Sequence, residues 1–187
     1  MVAAARRLVM QKGSSFTTQE VVKEAGVALQ TFYRHFPGKD QLLLAVIEDL
    51  IAENCARYEE RARDLPDPVA RLHFYVTTAL SGIDTDESAG PRFITAEHWR
   101  LHQLYPDELA QATQPFSDLV LREITAAEAE GLLAPTDAPR DAWLVTEVIM
   151  TVFHHHAFAT TGQAAGEIAD HVWRFCLAAL GGRPPTT

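Results

Sequence analysis

Residues 16–39 constrain this chain most, because their sequence predicts two short helices joined by a tight turn. Thr17 and Glu20 have the spacing of a capping box, in which the hydroxyl accepts from a backbone N–H and the carboxylate reaches back to the cap. Gly26 permits a sharp turn at low steric cost, and Pro37 ends the second helix. This layout is typical of a helix-turn-helix, whose second helix lies in the major groove of DNA.

The charge of the chain is unevenly distributed. The 187 residues have a net charge of −9, which alone argues against nucleic acid as a partner. Residues 1–47, however, hold six basic and three acidic residues, a net charge of +3, whereas the other 140 hold ten basic and 22 acidic residues, a net charge of −12. A local basic face is what DNA phosphates require, so we expect residues 1–47 to bind DNA with salt-sensitive affinity.

The composition predicts a folded, all-α chain. Hydrophobic residues make up 47% of it, enough for a real core, and apolar positions recur at intervals of three and four rather than two. No apolar run approaches the roughly 18 residues of a membrane span, and the N-terminus does not read as a signal peptide. Cys55 and Cys176 are far apart in sequence, so we expect reduced thiols in a cytoplasmic protein.

Glycine and proline positions divide the chain into about nine helices. In the seventh of these, Pro115 is expected to bend or break the helix. The predicted helices cover approximately residues 3–12, 17–25, 28–36, 39–64, 68–82, 91–104, 106–131, 139–161 and 165–180.

The last two predicted helices, 139–161 and 165–180, are apolar on more than one side. A helix of this kind must be buried on more than one side. We therefore expect them to form the interface of a homodimer, with two helices from each subunit. The alternative is that they are core helices of a single chain.

The N-terminal residues AARRLVMQKG and TTQEVVKEAGVALQTFYRHFPGKDQLLLAVI resemble the TetR family of transcriptional regulators, and the element TFYRHF-x-x-K is a specific signal. The resemblance covers about the first 50 residues. It implies a helix-turn-helix DNA-binding domain at 1–47 and a ligand-binding and dimerisation domain at 48–187. It further implies a regulator, commonly a repressor, that binds a palindromic operator as a homodimer and is released by a small, largely apolar effector.

The same resemblance assigns DNA contacts to six side chains: Thr18, Gln30, Thr31, Tyr33, His35 and Lys39. Thr18 and Lys39 are expected to bind phosphates, the latter with help from a helix N-terminus. Gln30 and Thr31 are expected to face base edges. The two aromatic side chains are expected to contact the sugar-phosphate backbone or neighbouring bases, the alternative being that they are ordinary surface residues.

The chain departs from the family pattern in two places. Ala28 and Leu29 stand where members often have a hydroxyl residue and a polar or basic one. A missing cap costs about 1 kcal/mol, although Leu29 can contact a thymine methyl group instead. The match also begins almost at Met1, without the usual preceding residues, so either the natural start lies upstream or DNA affinity is weaker than usual.

Nine side chains are candidates for ligand binding: Phe74, Ile94, His98, Trp99, His102, Trp143, Glu147, Met150 and His154. His98 and His102 lie four residues apart on one helix face, and they line a pocket or form a surface pair. Glu147 belongs to a helical stripe of mixed polarity, which suits a cavity with a few polar groups. The equal alternative is that Glu147 pairs with an arginine or is exposed.

We predict no cofactor and no metal site. The H-W-R-L-H sequence around His98 lacks the glutamate of a zinc-protease helix. The consecutive residues His154–His156 point about 100° apart on a helix, so they cannot chelate one ion together. The acidic segment 84–87 begins like a calcium loop but lacks the required glycine and final glutamate.

The sequence also argues against an enzyme. It contains no nucleophile elbow, no phosphate-binding glycine loop and no plausible metal triad. The alternative to a regulator is therefore a dimeric small-molecule-binding protein with weak or lost DNA binding.

Overall fold

The computed structural model describes residues 1–81, 89–158 and 165–182. Within these ranges the chain consists of nine α-helices and one 3-10 turn, Gly13–Ser15, and contains no strand. The predicted all-α fold class is thereby confirmed. The helices are α1 (Val2–Lys12), α2 (Thr18–Ala25), α3 (Leu29–His35), α4 (Lys39–Ala62), α5 (Pro68–Ser81), α6 (Ala89–Leu104), α7 (Pro106–Ala129), α8 (Ala138–His156) and α9 (Ala165–Ala179).

Several helices differ from their predicted extents, among them α8, which ends at His156 instead of continuing toward residue 161. Helix α6 begins at Ala89, two residues before Pro91, so the end of the predicted acidic loop is helical. Helix α7 continues through Pro115, so the predicted break is wrong, and the alternative, a bend at this proline, stays a prediction. Buried residues on both sides of this proline, among them Leu109 and Leu119, favour a continuous helix despite the lost backbone hydrogen bond. Predictions for residues 82, 84–87 and 159–161 lie outside the described residues.

The chain divides into two compact units, and the division does not follow chain order. The first unit comprises Met1–Glu53 and Glu87–Gln114, and the second comprises Asn54–Asp86 and Pro115–Thr187. The predicted domain boundary at residue 47 stays a prediction. Since α4 and α7 each contribute to both units, the boundaries of the compact units fall inside helices.

The first unit is built on one hydrophobic core. Its largest buried side chains include Phe16 and Phe32, which are 1% and 0% exposed. Phe93 and Leu101 of α6 and Leu109 of α7 belong to the same cluster as the core residues of α1 to α4. The helices before residue 54 therefore share their core with residues that follow some 40 positions later in the chain.

The second unit is held by the packing of α5 against α8 and α9. The His73 ring lies 4.9 Å from that of Trp173, centroid to centroid, which joins α5 to α9. An ion pair joins α5 to α7, since the Arg71 Nε lies 2.8 Å from an oxygen of the buried Glu123. A buried carboxylate needs such compensation, because an unpaired charge in the interior is strongly destabilising.

Both cysteines lie in the second unit. Cys55 and Cys176 are free and buried, and burial raises the pKa of each thiol to about 11. Neither thiol therefore ionises appreciably at neutral pH. Among the helices that the structure describes, none combines the length and the apolar character needed to cross a bilayer.

Candidate nucleic-acid interface

The N-terminus of α2 is fixed by the capping box that the sequence predicts. The Thr17 hydroxyl accepts from the Glu20 N–H at 3.2 Å, and a Glu20 carboxylate oxygen accepts from the Thr17 N–H at 2.7 Å. These bonds satisfy two of the donors that a helix start leaves unpaired. Thr18 is then the first residue of α2 and is partly exposed, at the position expected for a phosphate contact.

The turn between α2 and α3 depends on Gly26. Its φ of 65° and ψ of 31° lie in the left-handed region, which favours glycine. The Val27 N–H donates to the Val22 carbonyl at 3.0 Å, and the Gly26 N–H donates to the Lys23 carbonyl at 3.3 Å. This pair of bonds closes the end of α2 as a Schellman motif, so the direction of α3 is set by the backbone.

Helix α3 is anchored by one aromatic side chain. Phe32 is fully buried and makes an edge-to-face contact with Tyr33, with ring centroids 5.2 Å apart. Its ring also lies 5.8 Å from that of Phe36, just beyond the helix. The N-cap residue Ala28 makes no side-chain hydrogen bond, as the sequence predicts. Packing of Phe32 therefore has to hold the helix in place.

The opposite side of α3 is exposed and polar. Gln30, Tyr33 and His35 are exposed, with Tyr33 at 54%, while Thr31 is partly buried. Sequence reasoning did not assign a DNA contact to Arg34, which is also exposed. A shallow groove of about 460 Å³ is lined by Gln30, Thr31, Tyr33 and Arg34. The sequence signal for Arg34 is its position four residues after Gln30, because residues at this spacing lie on the same face of a helix.

Lys39 is positioned by an aromatic ring at the start of α4. Its ammonium nitrogen lies 4.7 Å from the centroid of the buried Phe16 ring. A cation over a ring at this distance is attracted by the ring quadrupole. The contact holds a positive charge beside the N-terminus of a 24-residue helix, where backbone N–H groups also favour an anion.

Several basic side chains of this region are already paired with carboxylates. Arg7 binds Glu24 at 2.8 Å, and Lys12 pairs with Glu20. The Arg6 guanidinium contacts Asp49 at 3.1 Å and pairs with Glu53 as well. Arg34 has no carboxylate at ion-pair distance among residues 1–81, 89–158 and 165–182. Arg34 on α3 and the exposed Lys23 on α2 are therefore charges of this region that no carboxylate of the described residues pairs with.

The sequence model described as "Bacterial regulatory proteins, tetR family" matches residues 1–46. An uncharacterized HTH-type transcriptional regulator of Bacillus subtilis, YvaF, is 42% identical over 53 residues, which cover 28% of this chain and 28% of that protein. The predicted resemblance to the TetR family is thereby confirmed for residues 1–46. Alignments with the curated relatives span 28% to 48% of the relatives' length, so this chain spans less than half of the curated relatives that it matches.

Solved structures extend the likeness to nearly the whole fold. Thermus thermophilus FadR, a TetR-family repressor in complex with lauroyl-CoA, superimposes with a TM-score of 0.75 over 100% of this chain and 96% of its own, at 20% identity. Bacillus subtilis FadR, in complex with stearoyl-CoA, gives 0.65 over 95% and 96%, at 13% identity. At these identities the likeness concerns the fold alone.

Four predicted ligand contacts lie in the first compact unit. Ile94 packs against the core of that unit. The rings of His98 and His102 are stacked, with centroids 6.0 Å apart, and Trp99 is 60% exposed. Burial and the neighbouring His102 lower the pKa of His98. Among the described residues no group of three or more metal-binding side chains comes together.

The other five predicted ligand contacts lie in the second unit. The Phe74 ring makes edge-to-face contacts with Tyr58 and Tyr75 and lies beneath the Arg61 guanidinium. The four candidate residues on α8 change from exposed to buried along the helix. Its members are Trp143 at 57% exposed, the exposed Glu147, the partly buried Met150 and His154 at 8%. All nine ligand contacts stay predictions.

Proposed function

We propose that this chain is a TetR-family transcriptional regulator that binds DNA and acts as a repressor. The observation that carries the proposal is the two-sided character of α3. Phe32 is buried in the core, whereas Gln30, Tyr33 and Arg34 face outward as an exposed polar surface. A short helix anchored by one face and polar on the other is what the major groove accepts.

The proposed contacts divide into positioning and reading. Thr18 and Lys39 lie at the first positions of α2 and α4, where a side chain and helix N–H groups together bind a phosphate. Gln30 and Thr31 are proposed to read base edges, with glutamine suited to adenine. Tyr33 and His35 are proposed to contact the backbone or adjacent bases. We add Arg34 as a phosphate or guanine contact.

We propose that the regulator is a homodimer joined through α8 and α9. The support is an exposed apolar surface on these two helices: Trp143 is 57% exposed, Leu144 51% and Phe175 60%. Large apolar side chains exposed together mark an interaction surface more often than scattered ones do. In such a dimer, the two helix-turn-helix domains, one from each subunit, would read the half-sites of a palindromic operator. These half-sites lie one helical turn, about 34–36 Å, apart.

We propose that a small, largely apolar effector releases the operator. FadR proteins from two Bacillus species and from Thermus thermophilus share this fold, and the complexes with stearoyl-CoA and lauroyl-CoA make a long apolar acyl chain, presented as its coenzyme A thioester, the first effector group to test. The effector must bind the two conformations unequally, since equal binding shifts nothing. Thermal stabilisation by lauroyl-CoA, but not by coenzyme A alone, would support this class. Equal responses to both would reject it.

Selection of genomic fragments by the purified chain, at low and at moderate salt, tests the central proposal. We expect enrichment of a near-palindromic site whose binding weakens in Tyr33→Ala and Lys39→Ala. Arg63→Ala is the matched control, because it removes an exposed positive charge of the second unit. Retention of no specific fragment at either salt concentration would favour the alternative, a dimeric small-molecule-binding protein without DNA binding.

A further inference from the structure

We infer that Arg100 is a positioning residue for DNA binding, which acts by neutralising Asp40 beside the phosphate-binding end of α4. The inference rests on the proposed function and assigns a role to a side chain that touches no DNA itself. Arg100 lies on α6, 60 residues after Asp40, and both belong to the first compact unit.

The geometry joins one guanidinium to two carboxylates. Arg100 Nη2 lies 2.8 Å from an Asp40 oxygen and 2.7 Å from Glu97 Oε2. Arg100 Nε also donates to Glu97, at 2.9 Å. Charge-assisted hydrogen bonds of this length are the strong ones, and the bond to Asp40 is the main reason that the pKa of Arg100 is raised.

The position of Asp40 links these three side chains to the proposed phosphate contact. Asp40 is the second residue of α4 and directly follows Lys39, whose ammonium is proposed to bind a phosphate. A carboxylate beside that phosphate repels it, since two unit charges 4 Å apart interact by about 1 kcal/mol even in water. Arg100 offsets one of the two carboxylate charges, so Asp40, Glu97 and Arg100 together carry −1 beside Lys39, whereas without Arg100 they would carry −2.

Arg100 is held where this neutralisation requires it. The next residue, Leu101, is fully buried in the core that also contains Leu42 and Leu43 of α4. Glu97, one turn earlier on α6, is 6% exposed and fixes the guanidinium from the other side. Neither the backbone nor the side chain of Arg100 therefore has to be ordered when DNA arrives.

Fluorescence anisotropy with an enriched operator tests this role in the full-length chain. Arg100→Gln removes the charge but keeps an amide donor for Glu97, so we expect the fold to persist. We expect operator affinity to fall by about fivefold for each DNA-binding domain of the dimer at low salt. The loss should shrink at about 0.2 M salt, since the Debye length shortens to about 7 Å. Arg63→Gln, which removes the charge of another exposed ion pair, should change affinity little.

The decisive variant combines Arg100→Gln with Asp40→Asn. If Arg100 acts by neutralising Asp40, the double variant binds the operator within about twofold of the unaltered chain. A purely structural role, or direct contact of Arg100 with a phosphate, predicts no rescue, and either result overturns the inference. Thermal melting of each variant separates loss of folding from loss of affinity, and a melting loss that Asp40→Asn does not reverse also counts against it.

The same measurements keep the two proposals apart. If the unaltered chain binds no operator, the proposed function fails and the role of Arg100 fails with it. If the unaltered chain binds, and Lys39→Ala weakens binding while Arg100→Gln does not, only the role of Arg100 is rejected.

Discussion

At the scale of single residues, the positive charge available to DNA depends on which basic side chains are already paired with carboxylates. Arg6, Arg7 and Lys12 contribute to the net positive charge of residues 1–47 but are paired with carboxylates of the same unit. Arg34 has no such pairing in the described part of the chain and is exposed. Sequence counting gives all of these residues equal weight, whereas only the geometry separates internal ion pairs from charges available to DNA.

Arg34 provides the first prediction at this scale. Arg34→Ala is expected to weaken operator binding, and the slope of log K against log salt should fall by about one if the contact is to a phosphate. If Arg34 reads a guanine instead, the loss should be confined to specific DNA, at about 1–3 kcal/mol. Fluorescence anisotropy with specific and random duplexes measures both, and unchanged binding to both would contradict the proposed contact.

Glu20 provides the second prediction, on acid stability. Hydrogen bonds from Lys12 first, and from Thr17 second, lower the pKa of Glu20 from 4.5 to about 2. Since the folded pKa is depressed, the stabilisation is present above the unfolded pKa of 4.5 and is lost as the pH falls toward 2.

Urea unfolding at a series of pH values checks this dependence. Glu20→Gln is expected to flatten the loss of stability between about pH 4.5 and 2. Glu128→Gln, a change of an exposed glutamate on α7, is the control. Identical acid profiles for the unaltered chain and Glu20→Gln would show that the capping carboxylate is not ionised with the depressed pKa.

At the scale of elements, most of the helix-turn-helix was predictable because its signals are local. The capping box at Thr17, the turn at Gly26 and the missing cap at Ala28 each involve residues within a few positions, and all three are observed. The path of α7 through Pro115 was not predictable from local signals. It depends on buried residues on both sides of the proline, and tertiary packing outweighs one lost hydrogen bond.

The missing cap of α3 leads to a prediction of increased stability. Ala28 has the extended backbone of an N-cap, with φ −74° and ψ 150°, but no side chain that can accept a hydrogen bond. Ala28→Ser is expected to raise the free energy of unfolding by about 1 kcal/mol. Urea unfolding measures the gain. Ala110→Ser, at an exposed position within α7 and away from its N-cap, should give none. Equal effects of both changes would contradict the capping account.

At the scale of the whole molecule, the sequence predicted the number and order of the helices but not which of them share a core. Phe93 and Leu101 of α6 lie in the same cluster as Phe32 and Leu42. Helical periodicity shows that a residue is buried, but it does not name the partner helix. For the same reason the ion pair of Arg100 with Asp40, between residues 60 positions apart, has no sequence signature.

The proposed dimer gives the prediction at this scale. Phe175→Glu places a charge at a 60% exposed aromatic position of α9 and is expected to convert the dimer into monomers. Leu132→Glu alters a 43% exposed leucine outside α8 and α9 and should leave the dimer intact. Analytical ultracentrifugation distinguishes the two, with circular dichroism confirming helical content. A dimeric Phe175→Glu variant, or a monomeric unaltered chain, would contradict the proposed interface.

The most direct measurement of the central claim is fluorescence anisotropy of one enriched operator, and of a scrambled duplex, with the unaltered chain, Gln30→Ala and Lys39→Ala. If α3 reads bases while α4 binds phosphate, Gln30→Ala weakens binding to the operator by about 1–3 kcal/mol and leaves the scrambled duplex unaffected. Lys39→Ala then weakens binding to both duplexes alike. Equal affinity of the unaltered chain for operator and scrambled DNA, or no effect of either substitution, would contradict the account.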